Sequence, residues 1–571
     1  MVLPKHASFF KLFYIMDRKS FFNTLFSPQE NTDNNSNDPQ SRGTLKTYKG
    51  KWDTADVVYF LKKTMFGAKV EDVTYFKNKS FKKVVNEMLD TSSIIKTFPI
   101  NNYTDNKIND EEVPMCSTWV NSMVANGKLN RRRRDSYKQW WIGNLVNQER
   151  NIAEKMVLFW HNHFATETRV VDNGIYCYRH NQLLHQFALG NFKEMVKAIT
   201  TDLCMLRYLN GNANSKKAPD ENYGRELQEL FTVGKGPESK YTEADVKAAA
   251  RVLTGYKTDN KTSSYFFDAS RHDETDKQFS TFYGNTIIKG EKGAEGTAEL
   301  DEMINMIFSQ EEVSKFIVRK IYRFFVFYKI NDTTEKEIIL PLAKIFRKNN
   351  YEIKPVLKTL FSSQHFFDKS LRGTMIKSPI DMCVGLVREY AVIFPLAEDL
   401  LANYNMWGFL QSQAAGMQQN IGDLPNVAGW PAYYQEPQLY KLWINSDTLP
   451  KRNQFSDRFI GKGYKAKDDN KIRIDVVAYA KSLPHPEDPE ALINDSIKLL
   501  YTVDLSATEK TRIKSSILLS NLQGDAANHY WTSAWNNFIL NPDEEANKKQ
   551  VVYKLQDLYK YLMSRPEYQV Y

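Results

Sequence analysis

Two polar-rich blocks set among apolar residues constrain this chain more than any other feature. Phe159 to Phe164 has the sequence FWHNHF, and Glu221 to Gly234 has the sequence ENYGRELQELFTVG. Together they hold two of the nine histidines, three carboxylates and one arginine. Polar side chains rarely enter a core without partners, and the apolar flanks favour burial. If the blocks meet in space, they form a metal site, an acid–base site or a buried polar network.

His161 and His163 follow an apolar run that is typical of the last turns of a helix. Residues two apart lie about 200° apart around a helix, so both rings face one point only if the chain leaves helical geometry near Asn162. In extended geometry the pair could chelate a divalent transition metal, because neutral imidazoles suit such ions. The alternative is two core histidines that hydrogen bond to carbonyls or carboxylates.

The second block predicts a helix on which Asn222, Arg225, Glu226 and Glu229 share one face. A guanidinium between carboxylates favours a buried ion-pair network. The same face could instead offer Glu226 and Glu229 as metal ligands or as a general base with a raised pKa. In that second case, Arg225 and Asn222 would bind an anionic substrate group.

Two further motifs are candidates for the same site. His272 and Asp273 lie in a polar stretch, where a carboxylate beside an imidazole suits a general base, although a solvated loop is the alternative. Trp430 lies in a segment rich in proline and aromatic residues, from 416 to 452, for which we predict an ordered loop. Its indole could stack on a substrate or simply pack in the core.

Helical periodicity dominates the rest of the chain and predicts a mainly α fold. We expect residues 1–49 to form a flexible leader and residues 50–571 to form one large multi-helix unit that could have two lobes. Strand patterns are few, and we predict one irregular β-hairpin between residues 264 and 289. Thr242 and Asp245 match a helix capping box.

Composition excludes several classes of protein. With 42% hydrophobic and 25% charged residues, the chain is globular, and its net charge of +9 is small for 571 residues. The sequence contains no phosphate-binding loop, dinucleotide fingerprint or serine hydrolase elbow. The basic run Arg131 to Arg134 precedes a helix that contains Trp140, and without a nucleic-acid motif it predicts a solvated or partner-binding face.

The compartment is left open by the sequence. No segment has the roughly twenty apolar residues that cross a bilayer. Met1 and Met16 are both candidate starts, and we recognise no cleavable signal, which makes the cytoplasm the default and the periplasm or export with a partner the alternative. Four scattered cysteines without C-x-x-C spacing favour reduced structural thiols.

The chain resembles one bacterial family, the domain of unknown function 1800 family. The similarity begins near residue 50, runs at least to residue 455, and includes both polar blocks. Its further motifs are Thr64 to Gly67, Tyr241 to Asp245, Ala250 to Gly255, His272-Asp273, Ile376 to Pro379, Leu424 to Pro431 and Leu442 to Asn445. The resemblance implies no activity. It does imply a companion, the domain of unknown function 1501 family, which is similar to sulfatases and alkaline phosphatases.

Two functional hypotheses follow. In the first, the protein is a metal-assisted enzyme, hydrolytic in type, with His161 and His163 as ligands and Glu226 or Glu229 as a ligand or base. His272 and Asp273 would assist from their loop. In the second, the protein is a non-catalytic subunit that binds the sulfatase-like companion, and the same polar residues form a structural network.

Overall fold

The computed structural model describes residues 44–92, 97–124, 126–259, 261–466, 470–520, 522 and 526–571. Helices dominate these residues, which confirms the mainly α fold. In chain order the α-helices are α1 Thr54–Thr64, α2 Val70–Lys77, α3 Phe81–Met88, α4 Gly127–Val146, α5 Ala153–His163, α6 Thr168–Val171, α7 Gly174–Gln186, α8 Phe192–Thr200, α9 Leu203–Tyr208, α10 Glu221–Glu226, α11 Glu243–Val252, α12 Ala298–Phe308, α13 Glu311–Phe325, α14 Asp332–Thr334, α15 Leu340–Lys348, α16 Ile353–Phe361, α17 Pro379–Glu389, α18 Leu400–Gly416, α19 Thr448–Ile460, α20 Val476–Lys481, α21 Pro489–Leu500, α22 Ala507–Ile513, α23 Ala526–Leu540 and α24 Glu545–Ser564.

The helices that place the candidate site are α4, α5, α7 and α9. Helix α4 packs against α18 on one side and α7 on the other, and α5 and α9 both pack against α7. Helix α5 is almost wholly buried, and its buried residues include the polar side chains of Glu154, Lys155, His161 and His163. Asn173 begins α7 and Asp202 begins α9, each accepting backbone N–H groups of the first turn.

The β structure differs from the single hairpin predicted between residues 264 and 289. Strand β1 (Tyr256–Asp259) pairs with β2 (Ser264–Phe267), and β3 (Lys277–Gln278) pairs with β4 (Ile287–Ile288), so two separate antiparallel hairpins occur. The predicted pairing was wrong because β1 is polar enough to look like a loop, yet it lies beside β2 in sequence. A third pair joins β5 (Tyr464–Lys465) and β6 (Lys471–Ile472).

Other sequence predictions can be compared with the structure. The capping box at Thr242 and Asp245 is present. Within the predicted loop region 416–452, residues 417–447 form an irregular segment with two short 3₁₀ helices, Pro431–Tyr433 and Leu439–Trp443, and α19 already begins at Thr448. The run Arg131 to Arg134 lies inside α4 rather than before it. No helix among the described residues is long and apolar enough to cross a bilayer.

Most of the predicted leader, residues 1–43, lies outside the described residues. Its last part does not behave as the loose segment that composition suggested. The Tyr48 N–H donates to the Ser362 carbonyl, and Gln364 N–H donates to the Lys46 carbonyl. Residues 44–48 are therefore held beside residues 362–365 by backbone hydrogen bonds.

Candidate functional site: a buried histidine, aspartate and cysteine centre

His161 and His163 lie on α5, which stays helical through His163. Their imidazoles therefore point into different surroundings. The His161 ring centroid is 4.8 Å from that of Trp141, whereas the His163 ring is 4.4 Å from that of Phe164. The structure does not bring the two imidazoles together as a chelating pair, because the break in the helix that such a pair needs is missing.

The two polar blocks do meet, through His163 and the backbone of the second block. His163 Nε2 lies 3.0 Å from the Phe231 carbonyl and must donate to it, so Nδ1 is an acceptor. Lys320 Nζ donates to that Nδ1 at 3.0 Å and to the Leu230 carbonyl at 3.1 Å. Burial, reinforced by Lys320, lowers the pKa of His163 well below its ordinary value. His163 is thus a neutral network residue.

The face predicted to carry carboxylate ligands is largely used in ion pairs. Arg225 forms a bidentate pair with Glu243 at 2.6 and 2.7 Å and also bonds to Glu221. Glu229 pairs with Lys235, and Asn222 is exposed. Burial, and then Glu229, raises the pKa of Glu226. Among the described residues, no hydrogen bond joins these side chains to His161 or His163, so the single site predicted from both blocks is not assembled.

A π-helix follows the first turns of this block. Helix α10 ends at Glu226 and continues as a π-helix over Leu227–Thr232. Because this helix ends at Thr232, the carbonyls of Leu230 and Phe231 in its last turn are free to accept from Lys320 and His163. The backbone of this block, rather than its carboxylates, is what meets α5.

His272 and Asp273 are adjacent in sequence but face different partners. His272 Nε2 lies 3.0 Å from Glu299 Oε1 and Nδ1 lies 3.0 Å from the Thr254 carbonyl. Asp273 pairs with Arg251 at 2.7 Å, and although burial opposes it, this pairing lowers the pKa of Asp273. Glu299 therefore orients the imidazole of His272. Asp273 does not contact that imidazole as the predicted carboxylate partner of a general base.

Trp430 is buried rather than presented to a ligand. Its side chain is 1% exposed, and its ring lies 5.8 Å from His161. The backbone N–H of Trp430 donates to Asn162 Oδ1 at 2.9 Å. The indole thus closes one side of the His161 environment and cannot act as an open stacking platform.

His161 itself has an unsatisfied nitrogen. Its Nε2 accepts the Gly422 N–H at 3.2 Å, so Nδ1 carries the proton. That Nδ1 is buried and has no hydrogen-bond partner among the described residues. Burial and the neighbouring His180 lower the pKa of His161 well below its ordinary value. His161 therefore lies near His180, which belongs to α7.

His180 belongs to a cluster with Asp202 and Cys204, and all three residues lie outside the two polar blocks. One ligand atom each from His180, Asp202 and Cys204 lies within 4.8 Å of the others, and all three residues are buried. His180 Nδ1 is 2.9 Å from Asp202 Oδ2, which also accepts the Met205 N–H at the start of α9. His180 Nε2 has no hydrogen-bond partner within the described parts of the chain.

A second thiol lies at the edge of this cluster. Cys177 precedes His180 by three residues on α7, so both side chains share a face of the helix. Burial, and then the neighbouring Cys177 thiol, raises the pKa of Cys204 well above its ordinary value. Cys204 is therefore a thiol unless a metal displaces its proton. The potential donors are one imidazole, one carboxylate and two sulfurs.

A family match covers nearly the whole chain, including every residue of this cluster. Residues 59–570 match the profile of a family described as "Protein of unknown function (DUF1800)". The chain belongs to the DUF1800 family. No curated protein and no solved structure matches the chain. Membership of DUF1800 confirms the resemblance noted from the motifs and assigns no reaction.

In this DUF1800 protein, the sequence did contain a signal for the cluster. Two short spacings can each place two ligands on one side of a helix or helix start. They are Cys177-x-x-His180 on one helix and Asp202-x-Cys204 at the start of another. Neither pair has the C-x-x-C spacing that usually indicates a metal site. The separation of the two pairs in sequence also hides the contact, which depends on the packing of α7 against α9.

Proposed function

We propose that this DUF1800 protein binds one divalent transition metal, of the zinc class, at His180, Asp202 and Cys204. The observation that carries the proposal is the convergence of nitrogen, oxygen and sulfur donors within 4.8 Å in a fully buried cluster. Imidazole, carboxylate and thiolate are the ligands that zinc takes in proteins, and Cys177 is the candidate for a fourth position.

The position of the cluster supports a structural role for this metal. Two donors come from α7 and two from the first residues of α9, so a metal would join the two helices. Structural metal sites are closed and contribute directly to folding, whereas catalytic sites keep a position open to substrate. Since all three side chains are buried, the hydrolytic part of the sequence hypothesis is not included in the proposal.

The second candidate function is the non-catalytic subunit. One observation favours it: Arg225, Glu229, His272 and Asp273 are each engaged by neighbouring side chains. Residues poised for catalysis usually keep a face free for substrate. In this account DUF1800 proteins bind a companion, and the sulfatase-like family implied by the resemblance is the first partner to test.

Metal analysis of the native protein tests the main proposal. Purified full-length chain should contain close to one equivalent of zinc or a related metal. His180→Gln and Cys204→Ser should each lose that metal, since each removes a donor. Cys383→Ser is the matched control, because Cys383 is also buried but lies on α17, outside the cluster.

The alternative account is a hydrogen-bonded centre without metal, in which His180 and Asp202 share a proton. It predicts metal-free protein whose stability falls in His180→Gln. A disulfide between Cys177 and Cys204, found by mass spectrometry of the unreduced protein, would also overturn the metal proposal, because both sulfurs would then be unable to bind.

A further inference from the structure

A large polar pocket lies beside α4. Its volume is about 810 Å³, within the size range of small-molecule sites. Such sites are usually lined by apolar and aromatic side chains. Here five cationic side chains and a set of amides line the wall instead. An apolar ligand would leave these groups without water or partners, so the pocket suits a hydrophilic one.

The cations come mainly from one helix. Arg131, Arg134 and Lys138 follow one another at helical spacing on α4, Arg132 flanks them, and Arg169 faces them from α6. Asp135 is the only carboxylate among the lining residues of this pocket. The lining residues are therefore net positive, although Asp105, Asp172 and Asp423 pair with four of the five cations from just outside the lining.

Two of these cations are committed to the fold. Arg134 donates to the Thr168 carbonyl at 2.7 Å and pairs with Asp172 at 3.0 Å. Lys138 forms a buried pair with Asp423. These two hold α6 and the loop after α18 against α4, and so shape the pocket rather than serve a ligand.

The other three cations retain donors. Arg131 is exposed and has no ion pair or hydrogen bond with any described residue. Arg169 touches Asp423 only through Nε, at 3.2 Å, and its side chain is 70% exposed. Arg132 pairs with Asp105 on the surface, where such pairs are weak. Guanidinium groups bind sulfate and phosphate through two parallel hydrogen bonds, so these three offer binding for more than one oxyanion.

The amides supply the second half of the recognition. Asn102 Nδ2 donates to Gln139 Oε1 at 2.6 Å, and Gln411 Nε2 donates to Asn420 Oδ1 at 2.6 Å. Each amide pair is thereby fixed in orientation while leaving unused donor or acceptor capacity. Fixed amides of this kind are suited to hydroxyl groups, which both donate and accept.

We propose that this pocket binds a polyol that carries more than one oxyanion group, the chemical class of sugar sulfates and sugar phosphates. The proposal does not depend on the metal cluster. It rests on the positive wall, the donors left free on Arg131, Arg132 and Arg169, and the amides between them.

Calorimetric titration of the full chain at low ionic strength tests this site. The probes are sucrose octasulfate, myo-inositol hexakisphosphate, inorganic sulfate and uncharged sucrose. We expect one of the two charged polyols to bind at one equivalent, and the tighter one identifies the oxyanion. Arg131→Gln and Arg169→Gln should each weaken it by about tenfold or more, since charge-assisted hydrogen bonds are lost. Arg473→Gln, an exposed arginine elsewhere, is the control and should leave the affinity unchanged.

Four results would overturn the proposal. The first is that neither charged polyol binds. The second is that Arg131→Gln and Arg169→Gln bind them as tightly as Arg473→Gln does. The third is that sucrose binds equally well, which removes the oxyanions from the recognition. The fourth is that inorganic sulfate binds as tightly as sucrose octasulfate, which removes the polyol.

Discussion

Glu299 contacts two basic side chains in the core near the β-hairpins. Its two oxygens contact His272 and Lys277, and the side chains of all three residues are at most 1% exposed. A buried cation that loses its only carboxylate is strongly destabilising, because the charge remains without solvent or a counter-ion. The His272 motif, which could have been a general base, is thus part of a structural triad.

Replacing Glu299 with Gln should therefore lower the free energy of unfolding by about 3–5 kcal/mol. The measurement is chemical denaturation. Asp301→Asn is the matched control, because Asp301 lies on the same helix but forms an exposed pair with Lys197. It should cost less than about 1 kcal/mol. Equal losses in the two variants would contradict the triad.

Lys320 presents the opposite situation, a partly buried amine without a carboxylate partner among the described residues. Burial, and to a lesser extent Arg323, lowers its pKa to about 7. In the unfolded chain the lysine pKa is about 10.4. Between these values the unfolded state holds more protons, so this group contributes stability that is present above the unfolded pKa and lost as pH falls through about 7.

We expect the free energy of unfolding of the native protein to rise between pH 7 and pH 10 relative to Lys320→Met. The slope of this difference approaches about 1.4 kcal/mol per pH unit at most. Denaturation series at fixed ionic strength measure it. Lys344→Met, an exposed lysine on α15, should run parallel to the native protein. A difference that stays flat over this range would show that Lys320 is charged in the fold.

At the scale of elements, the segment after α18 closes the environment of His161. Gly429 has φ +97°, and a Cβ at this position would lie 2.4 Å from Asn162 Oδ1 and 2.7 Å from the Asn162 carbonyl oxygen. The same Asn162 side chain accepts a hydrogen bond from the backbone N–H of Trp430. The motif Leu424 to Pro431 is therefore shaped by its contact with the end of α5.

Gly429→Ala should destabilise the protein by more than about 2 kcal/mol, because it adds left-handed backbone strain to an overlap with backbone atoms. Thermal unfolding measures the change. Gly416→Ala is the control: it lies at the end of α18, where a Cβ meets nothing within 4 Å. That change should be neutral or slightly stabilising. A Gly429→Ala protein as stable as the control would mean that the loop does not pack on α5 in this way.

Much of this element structure could be predicted from the sequence. Helical periodicity correctly indicated the mainly α fold, and a capping pattern located the start of α11. The strand pairing could not be predicted, because strands of two to four residues depend on what packs over them. The same limit applies to the proposed metal site, since His180 meets Asp202 and Cys204 only through the contact of α7 with α9.

At the scale of the whole molecule, the described ends of the chain come together. Thr47 forms an isolated antiparallel β-bridge with Ser363, and Val570 forms one with Ile376. Helix α5 packs against α7, which bears His180, and His161 on α5 accepts the N–H of Gly422, next to Asp423 in sequence. Of the two histidines predicted as metal ligands, His161 lies near His180 of the proposed centre. His161 and His163 do not form the predicted pair, because their rings lie in different surroundings.

Substitution of cobalt(II) into the full-length protein tests the central claim most directly, because cobalt bound to thiolate sulfur absorbs strongly in the near ultraviolet. We predict a one-equivalent cobalt complex with this sulfur-to-metal band, lost in Cys204→Ser and kept in Cys383→Ser. Protein that takes up no cobalt, or a band that survives Cys204→Ser, would contradict a metal centre at His180, Asp202 and Cys204.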